Sequence, residues 1–229
     1  HYYYHQHYPA DETLWARNQR KSPLYDRLAG LGAEFGEKNG WERVNFFRSG
    51  KPSRQAADDQ HQWGWGRAPY HDLIRDECIA ARERAALFDM SSFGKFEVSG
   101  PGALGLLQRV ACNNIDRPTG SLVYTQFLNA RGGIESDLTV CRLAADRFRV
   151  ITGTSFLSND LEWVHAHAPA DGPVEIQDVT DDLACIGLWG PRARDVLDQA
   201  TDDDISNGAF PYLTAKKLTV AGKLAWEQR

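Results

Sequence analysis

Phe127-Leu-Asn-Ala-Arg-Gly-Gly-Ile-Glu-Ser-Asp-Leu-Thr-Val140 decides the fold. It reads as strand, tight turn, strand. Asn129 to Gly133 supply the turn chemistry, since glycine takes a positive φ without steric cost. From Ile134 to Cys141 the side chains alternate with period two. Ile134, Ser136, Leu138 and Val140 share one face; Glu135, Asp137, Thr139 and Cys141 share the other. Two carboxylates therefore stand two residues apart on one strand face, next to a glycine turn. Acidic residues on the solvated face of an edge hairpin are also common, so the spacing alone leaves both readings open.

Outward from this hairpin the chain continues in meanders. Leu122–Leu128, Ile134–Cys141 and Arg147–Thr152 read as three consecutive strands, with Ala144 to Asp146 as the second turn. Phe93 to Ser99 reads as a strand, followed by Gly100-Pro101-Gly102-Ala-Leu-Gly105 and a helix over Ala103 to Val110. Those glycines match G-x-G-x-x-G formally. Pro101 removes an amide that a pyrophosphate needs, and no acidic strand end follows about 20 residues on. Gly190-Pro191 repeats the strand, Gly-Pro, helix order without the other glycines, which suggests two related units rather than a nucleotide fingerprint. Gly30-Leu-Gly32-Ala-Glu-Phe-Gly36 has the wrong spacing and follows a helix. Ser155 to His167 reads as a helix with Leu157, Leu161 and Val164 inward. Val174–Val179 and Leu183–Leu188 read as a further strand pair. The fold class is α+β, with antiparallel sheets flanked by helices.

The first 62 residues read as an N-terminal segment and linker of a larger chain, and residues 63–229 as the main domain. Within the first part, Ser22-Pro23 reads as the start of a helix running through Leu28. Trp41 to Phe47 is a compact aromatic and charged segment, and Arg48 to Gln62 a polar loop. Trp63-Gly-Trp65 is a lid or surface patch. His71 to Phe88 has helical spacing through Leu73, Ile74, Cys78, Ala81, Ala85 and Phe88.

Composition limits the function classes. The 229 residues carry a net charge of -5, which argues against a nucleic-acid partner. No run of 18 apolar residues suggests a membrane span. Cys78, Cys112, Cys141 and Cys185 are too scattered for a disulfide framework and read as reduced thiols. His1, His5 and His7 stand close together in a polar, irregular stretch, which leaves a metal site open but favours a flexible terminus; beyond them no Cys/His cluster of metal spacing and no Gly-x-Ser-x-Gly occur. His165-Ala-His167 reads as a helix end, since two ligands do not complete a metal site. What remains is Asp137 with Glu135, the nearby Tyr124, and aromatics at 11%. A carboxylate beside aromatic walls can hold an amine or heterocycle nitrogen, or exchange a proton with it.

Phe88-Asp-Met-Ser-Ser-Phe-Gly-Lys-Phe96, Val98-Ser-Gly100, Leu128-Asn-Ala-Arg-Gly-Gly133 and Asp137-Leu138 resemble the folate-binding aminomethyltransferase family of the glycine cleavage system. Ser22-Pro-Leu-Tyr25, Gly32-Ala33, Phe35-Gly36 and Gly40-Trp-Glu-Arg43 with Asn45 and Phe47 resemble its branch fused to a flavin domain, the sarcosine and dimethylglycine dehydrogenases. The resemblance implies transfer of a carbon from an oxidised N-methyl amine to tetrahydrofolate. It implies Asp137 as the catalytic carboxylate. Tyr124, Gly132, Gly133, Glu135 and Asp137 are the folate-binding set. FAD is expected in a flavin domain on the same or a partner chain, with localisation in the cytoplasm or, in a eukaryote, the mitochondrial matrix. Three departures matter. Ser136 stands where the glycine-cleavage pattern has the first of two aspartates. Val44 and Phe46 replace the usual Pro and Trp. The folate-contacting glutamate expected near Ala221-Gly-Lys-Leu-Ala-Trp226 and the barrel-like last domain are lacking, so the chain is expected to be a truncated module. The alternatives are a non-catalytic regulatory or interaction module of the same fold, and a free-standing aminomethyltransferase or demethylase.

Overall fold

The structure is a computed structural model, and it describes residues 16–48, 67–68, 70–170 and 172–229. The histidines near the N-terminus, the polar loop after Arg48 and the Trp63-Gly-Trp65 segment lie outside the described residues. The chain divides into two compact units. One comprises the described residues up to Ser92 together with Ala184–Ala193; the other comprises the described residues of Phe93–Leu183 and Arg194–Arg229.

In the first unit, helix α1 (Tyr25–Gly30) is followed by the antiparallel hairpin β1 (Ala33–Lys38) and β2 (Trp41–Phe47). The helix starts two residues later than Ser22-Pro23 suggests. Ser22 instead closes the turn before it: its hydroxyl accepts the Leu24 amide at 3.2 Å and donates to the Asp89 carboxylate. Asp89 also accepts the Ser91 amide at 3.0 Å. The Ser-Pro-Leu-Tyr and Phe-Asp-Met-Ser motifs, far apart in sequence, are thus tied together. The Trp-Glu-Arg motif is structural as well. Glu42 is buried and takes the Arg17 guanidinium at 2.5 Å and the Asn18 amide at 2.6 Å. The Arg20 guanidinium lies 4.2 Å from the Trp41 ring centre.

Helix α2 (His71–Glu83) ends earlier than the helical spacing predicts. Ala86–Asp89 forms strand β3, which pairs antiparallel with β9 (Ile186–Trp189) through Leu87–Leu188 and Phe88–Gly187. Periodicity over 18 residues fits either state near its end, and the tertiary pairing decides it. The same pairing corrects a second expectation. The segments around Val174–Val179 and Leu183–Leu188 do not pair with each other. Strand β8 (Glu175–Asp178) pairs with β4 (Gly94–Ser99), and β9 belongs to another sheet.

The second unit is built on a five-stranded sheet in the order β5-β6-β7-β4-β8, with β5 (Leu122–Leu128), β6 (Ile134–Ala144) and β7 (Arg147–Thr152). Every pairing in it is antiparallel, as the meander reading requires. One sheet face carries Phe96, Val98, Phe127, Leu138, Val140, Phe148 and Val150. It packs on Leu106, Leu107 and Val110 of α3 (Ala103–Val110) and Val164 of α4 (Leu157–His167). Each such side chain contributes roughly 1.5–3 kcal/mol on burial. Leu157 and Leu161 pack at the edge of this core. The other face is closed at one end, where Leu122, Cys141 and Leu143 pack with Ala215 and Trp226 of the hairpin formed by β10 (Ala215–Val220) and β11 (Lys223–Gln228). Buried Glu97 accepts the Arg149 guanidinium at 2.7 Å and that of Arg147 at 2.6 Å, fixing the β4–β7 register.

The two Gly-Pro junctions share one geometry. Gly100 and Gly190 have φ of 105° and 109°, and a Cβ on either would collide with backbone carbonyls. Gly100 precedes α3, and Gly190 precedes α5 (Ala193–Asp198). These glycines allow a sharp exit from a strand beside close-packed backbone.

Candidate functional site

The hairpin that sets the sheet also sets the site. Asn129 organises the turn: its side-chain oxygen accepts the amides of Arg131 at 3.0 Å and Gly133 at 2.9 Å. Gly132 has φ of 80°, and a Cβ on Gly133 would meet the Asn129 amide nitrogen at 2.7 Å. Turn construction therefore accounts for both glycines.

Beyond the turn, alternation divides the neighbours. Ser136, Leu138 and Val140 are buried, whereas Asp137 is exposed. Ile134, predicted on the Ser136 face, lies past the register irregularity at Phe127/Leu128 and is exposed. The Ser136 hydroxyl is buried with no hydrogen-bond partner among the described residues. The departure at 136 thus lies on the core face, and Asp137 alone of the two presents its side chain to the outer face.

On that outer face Asp137 pairs across the strands with Gln126, and Tyr124 with Thr139. The Asp137 carboxylate, diagonal to Tyr124 on this face, holds the phenol above its ordinary pKa, with a smaller push from desolvation. The Tyr124 ring is 57% exposed. The structure thus brings Tyr124 and Asp137 together. It does not join Glu135 to them: Glu135 accepts the Asn129 side-chain amide at 2.6 Å and belongs to the turn.

Three residues absent from the sequence-based set sit at this face. Gln126 stands between Tyr124 and Leu128 in the period-two series, so the spacing that picked out Tyr124 could have found it. Cys112 and Asn113 run along the open edge of β5 in a backbone arrangement that local sequence does not announce. The Cys112 amide donates to the Gln126 carbonyl at 2.9 Å, and the Asn113 side-chain amide to the Tyr124 carbonyl at 2.6 Å. The Cys112 thiol donates to Gln126 Oε1 at 3.4 Å and lies 3.5 Å from Thr125 Oγ1. The Thr125 hydroxyl, then the Gln126 backbone, lowers this thiol's pKa.

Glu227, adjacent to Trp226, is pushed above the ordinary carboxylate range by burial. His167 Nδ1 contacts the Trp163 carbonyl at 2.8 Å, as expected of a helix end. No group of three metal-ligating side chains occurs among the described residues. None of the four cysteines forms a disulfide. No helix of the described residues is long and apolar enough to cross a membrane.

The family described as the GCVT N-terminal domain matches residues 24–229. Relatives include 4-methylaminobutanoate oxidase (formaldehyde-forming) of Paenarthrobacter nicotinovorans, 39% identical over 99% of this chain and 27% of its own length. Human mitochondrial sarcosine dehydrogenase is 35% identical over 97% of this chain and 28% of its own. The mouse mitochondrial pyruvate dehydrogenase phosphatase regulatory subunit is 34% identical over 89% of this chain and 23% of its own. The chain thus spans under a third of the length of these curated relatives. Among solved structures, the glycine cleavage system aminomethyltransferase T of Bartonella henselae superimposes with a TM-score of 0.66. It is 23% identical over 86% of this chain and 47% of that one, a likeness of fold. The chain is therefore a member of the GCVT aminomethyltransferase family, carrying its N-terminal domain over residues 24–229.

Proposed function

We propose that this domain binds tetrahydrofolate on the outer face of β5–β6 and serves one-carbon transfer from an oxidised N-methyl amine of the sarcosine or dimethylglycine type. The observation that carries the reading is the placement of exposed Asp137 diagonally across from exposed Tyr124 on the open end of that face, in a chain whose family is established. The donor set fits a reduced pterin. Such a heterocycle offers N–H groups to a carboxylate and a flat ring to a phenol. Tetrahydrofolate, when bound, supplies the amine nitrogens that accept the carbon. Asp137 accepts a hydrogen bond from a ring N–H and orients the ring, Tyr124 presents its exposed ring beside it, and the turn through Gly132 and Gly133 leaves the neighbouring surface low. Glu135 serves by holding Asn129 rather than by touching the ligand.

Oxidation of the amine belongs to a flavin domain on the same or a partner chain. Neither glycine run in the described residues builds a dinucleotide site. Gly30 ends α1 and leads into β1, while Gly100–Gly105 is a tight strand exit and the start of α3. We assign residues 63–229 as the main folate domain, working in the cytoplasm or the mitochondrial matrix.

The test uses the parent protein. Replacing Asp137 by Asn removes a charge-assisted hydrogen bond, worth about 1.5–3 kcal/mol, so tetrahydrofolate affinity should fall roughly 10–100-fold. The yield of methylene-tetrahydrofolate during amine turnover should fall with it. Equal affinity and yield in both proteins would sink the assignment. A second reading, a non-catalytic regulatory module, is favoured by the similarity to the phosphatase regulatory subunit. Absence of tetrahydrofolate binding by the wild-type parent would select it.

A further inference from the structure

We propose that Phe156 is a second aromatic wall of the candidate site, so that a flat heterocycle stands edge-on over Asp137 between the Tyr124 and Phe156 rings. The inference rests on the folate reading of Asp137 and adds the residue that grips the far face of the ring. Phe156 takes its place from the end of β7. Phe148 and Val150 point into the core, and the Thr152 hydroxyl meets the buried Asp160 carboxylate of α4 at 2.5 Å. Alternation therefore turns Ile151 and Gly153 to the outer face. Ile151 is the cross-strand partner of Thr139, which on its other side is the partner of Tyr124. The same antiparallel register, continued two residues along each strand, sets Gly153 opposite Asp137. A Cβ on Gly153 would stand 3.0 Å from Phe156 Cδ2. The ring thus lies on Gly153, held by the turn in which the Phe156 amide donates to the Gly153 carbonyl at 2.9 Å.

Folding alone gives no reason for this phenylalanine. It is 60% exposed, so it adds little to the core. It occupies the N-cap of α4, where a Ser, Thr, Asp or Asn side chain would satisfy a free helix amide, and it makes no side-chain cap bond. Gly153 does not owe its identity to backbone conformation either, since its φ lies outside the positive region. What the missing side chain provides is a seat for the ring and a bare strip of sheet beside Asp137. An exposed aromatic set against local preference is the pattern of a residue kept for a ligand. The spacing agrees. β5 and β7 flank β6 at about 4.7–4.9 Å each, which puts side chains rising from them about 9.5 Å apart. A heterocycle stacked between two rings needs about 7–8 Å, a difference of about 2 Å that side-chain rotation closes. In that slot the ring edge, with its N–H groups, meets Asp137 at the floor. The slot therefore takes the pterin end of tetrahydrofolate rather than its glutamyl tail.

The test uses the parent protein with Phe156→Ala, Phe156→Leu and Phe156→Tyr. Affinity is measured for tetrahydrofolate and for 6-methyltetrahydropterin, which has the ring system without the aminobenzoyl-glutamate tail. Loss of one stacking wall in Phe156→Ala should weaken both ligands by the same factor, roughly 5–100-fold. Leucine, apolar but without a π face, should stay at least about 3-fold weaker than wild type, whereas tyrosine should restore affinity to within about 3-fold. The urea midpoint should not move, because the side chain is exposed, so weaker binding is not a result of unfolding. A Phe156→Ala protein that binds both ligands as the wild type does would overturn the proposal and leave the Asp137 assignment standing. A loss confined to tetrahydrofolate would also overturn it, since the ring would then touch the tail. If Asp137→Asn binds as the wild type does while Phe156→Ala binds weakly, the carboxylate assignment fails and the aromatic slot stands. A parent protein that binds neither ligand would overturn both.

Discussion

Gly100→Ala and Gly105→Ala are the same chemical change five residues apart, the first before α3 and the second inside it, and the structure predicts opposite signs for them. Gly100 has φ of 105°, a region that alanine adopts only with strain, costing about 1–3 kcal/mol. A Cβ there would also stand 2.0 Å from the Pro173 carbonyl oxygen, a backbone atom that moves only if the segment leading into β8 shifts. Strain and clash together should remove about 3 kcal/mol or more. Gly105 is an exposed interior position of α3, and a Cβ there meets nothing within 4 Å. Alanine should stabilise that position by about 0.8–1 kcal/mol through helix propensity. Urea unfolding followed by tryptophan fluorescence measures both; the chain has seven tryptophans. With a slope of roughly 3 kcal/mol per molar urea, the midpoint should fall by about 1 M for Gly100→Ala and rise by about 0.3 M for Gly105→Ala. A loss under about 1 kcal/mol at Gly100, or an equal loss at both sites, would refute this account of the glycine run. It would reopen the phosphate-loop reading, in which all three glycines serve one ligand.

Two further expectations follow from buried groups. Ser136→Ala removes a hydroxyl that is buried without a partner among the described residues. It should leave stability unchanged or raise it by up to about 1 kcal/mol, with tetrahydrofolate affinity unaltered; a loss above about 1 kcal/mol in urea unfolding would show that the hydroxyl is satisfied in solution. For Glu42, burial opposes ionisation, but the Arg17 guanidinium and the Asn18 amide outweigh it and leave the carboxyl below its ordinary pKa. A lowered folded-state value stabilises the protein above the unfolded pKa of about 4.3 and is lost as pH falls through the folded value. Arg17→Met should therefore cost about 2 kcal/mol or more at pH 7 and much less near pH 3, where the carboxyl is protonated; an equal cost at both pH values would contradict the ion-pair role.

What was legible in the sequence was mainly local. The period-two run after Gly133 correctly separated Ser136 from Asp137, because strand pleating fixes side-chain direction within a few residues. The α3 boundaries and the β5-β6-β7 meander were readable for the same reason. Partner choice was not. Leu183–Leu188 and Val174–Val179 are both strand-like, and only the packed molecule shows that β8 adds to β4 while β9 adds to β3. The end of α2 was missed because apolar spacing continues into Phe88, whose backbone bonds go to Gly187 instead. Glu42 looked like a motif acid of unknown purpose, since its partner Arg17 lies 25 residues earlier. At the candidate site, the nearness of Tyr124 to Asp137 was readable, whereas Cys112 reaches Gln126 only because its backbone runs along the β5 edge.

The alternation on β6 also bears on how such a domain ages. Two adjacent codons, 136 and 137, answer to different constraints: one to the packing of the interior, the other to whatever occupies the outer face. A lineage that abandons folate while keeping the scaffold should let position 137 wander while 136, 138 and 140 stay small or apolar. A lineage that keeps its chemistry should hold 137 and tolerate conservative exchange beside it. One residue gained or lost within β6 past the turn would exchange the two roles at once, so point substitutions rather than length changes are the route by which this hairpin can alter its outer face and remain folded.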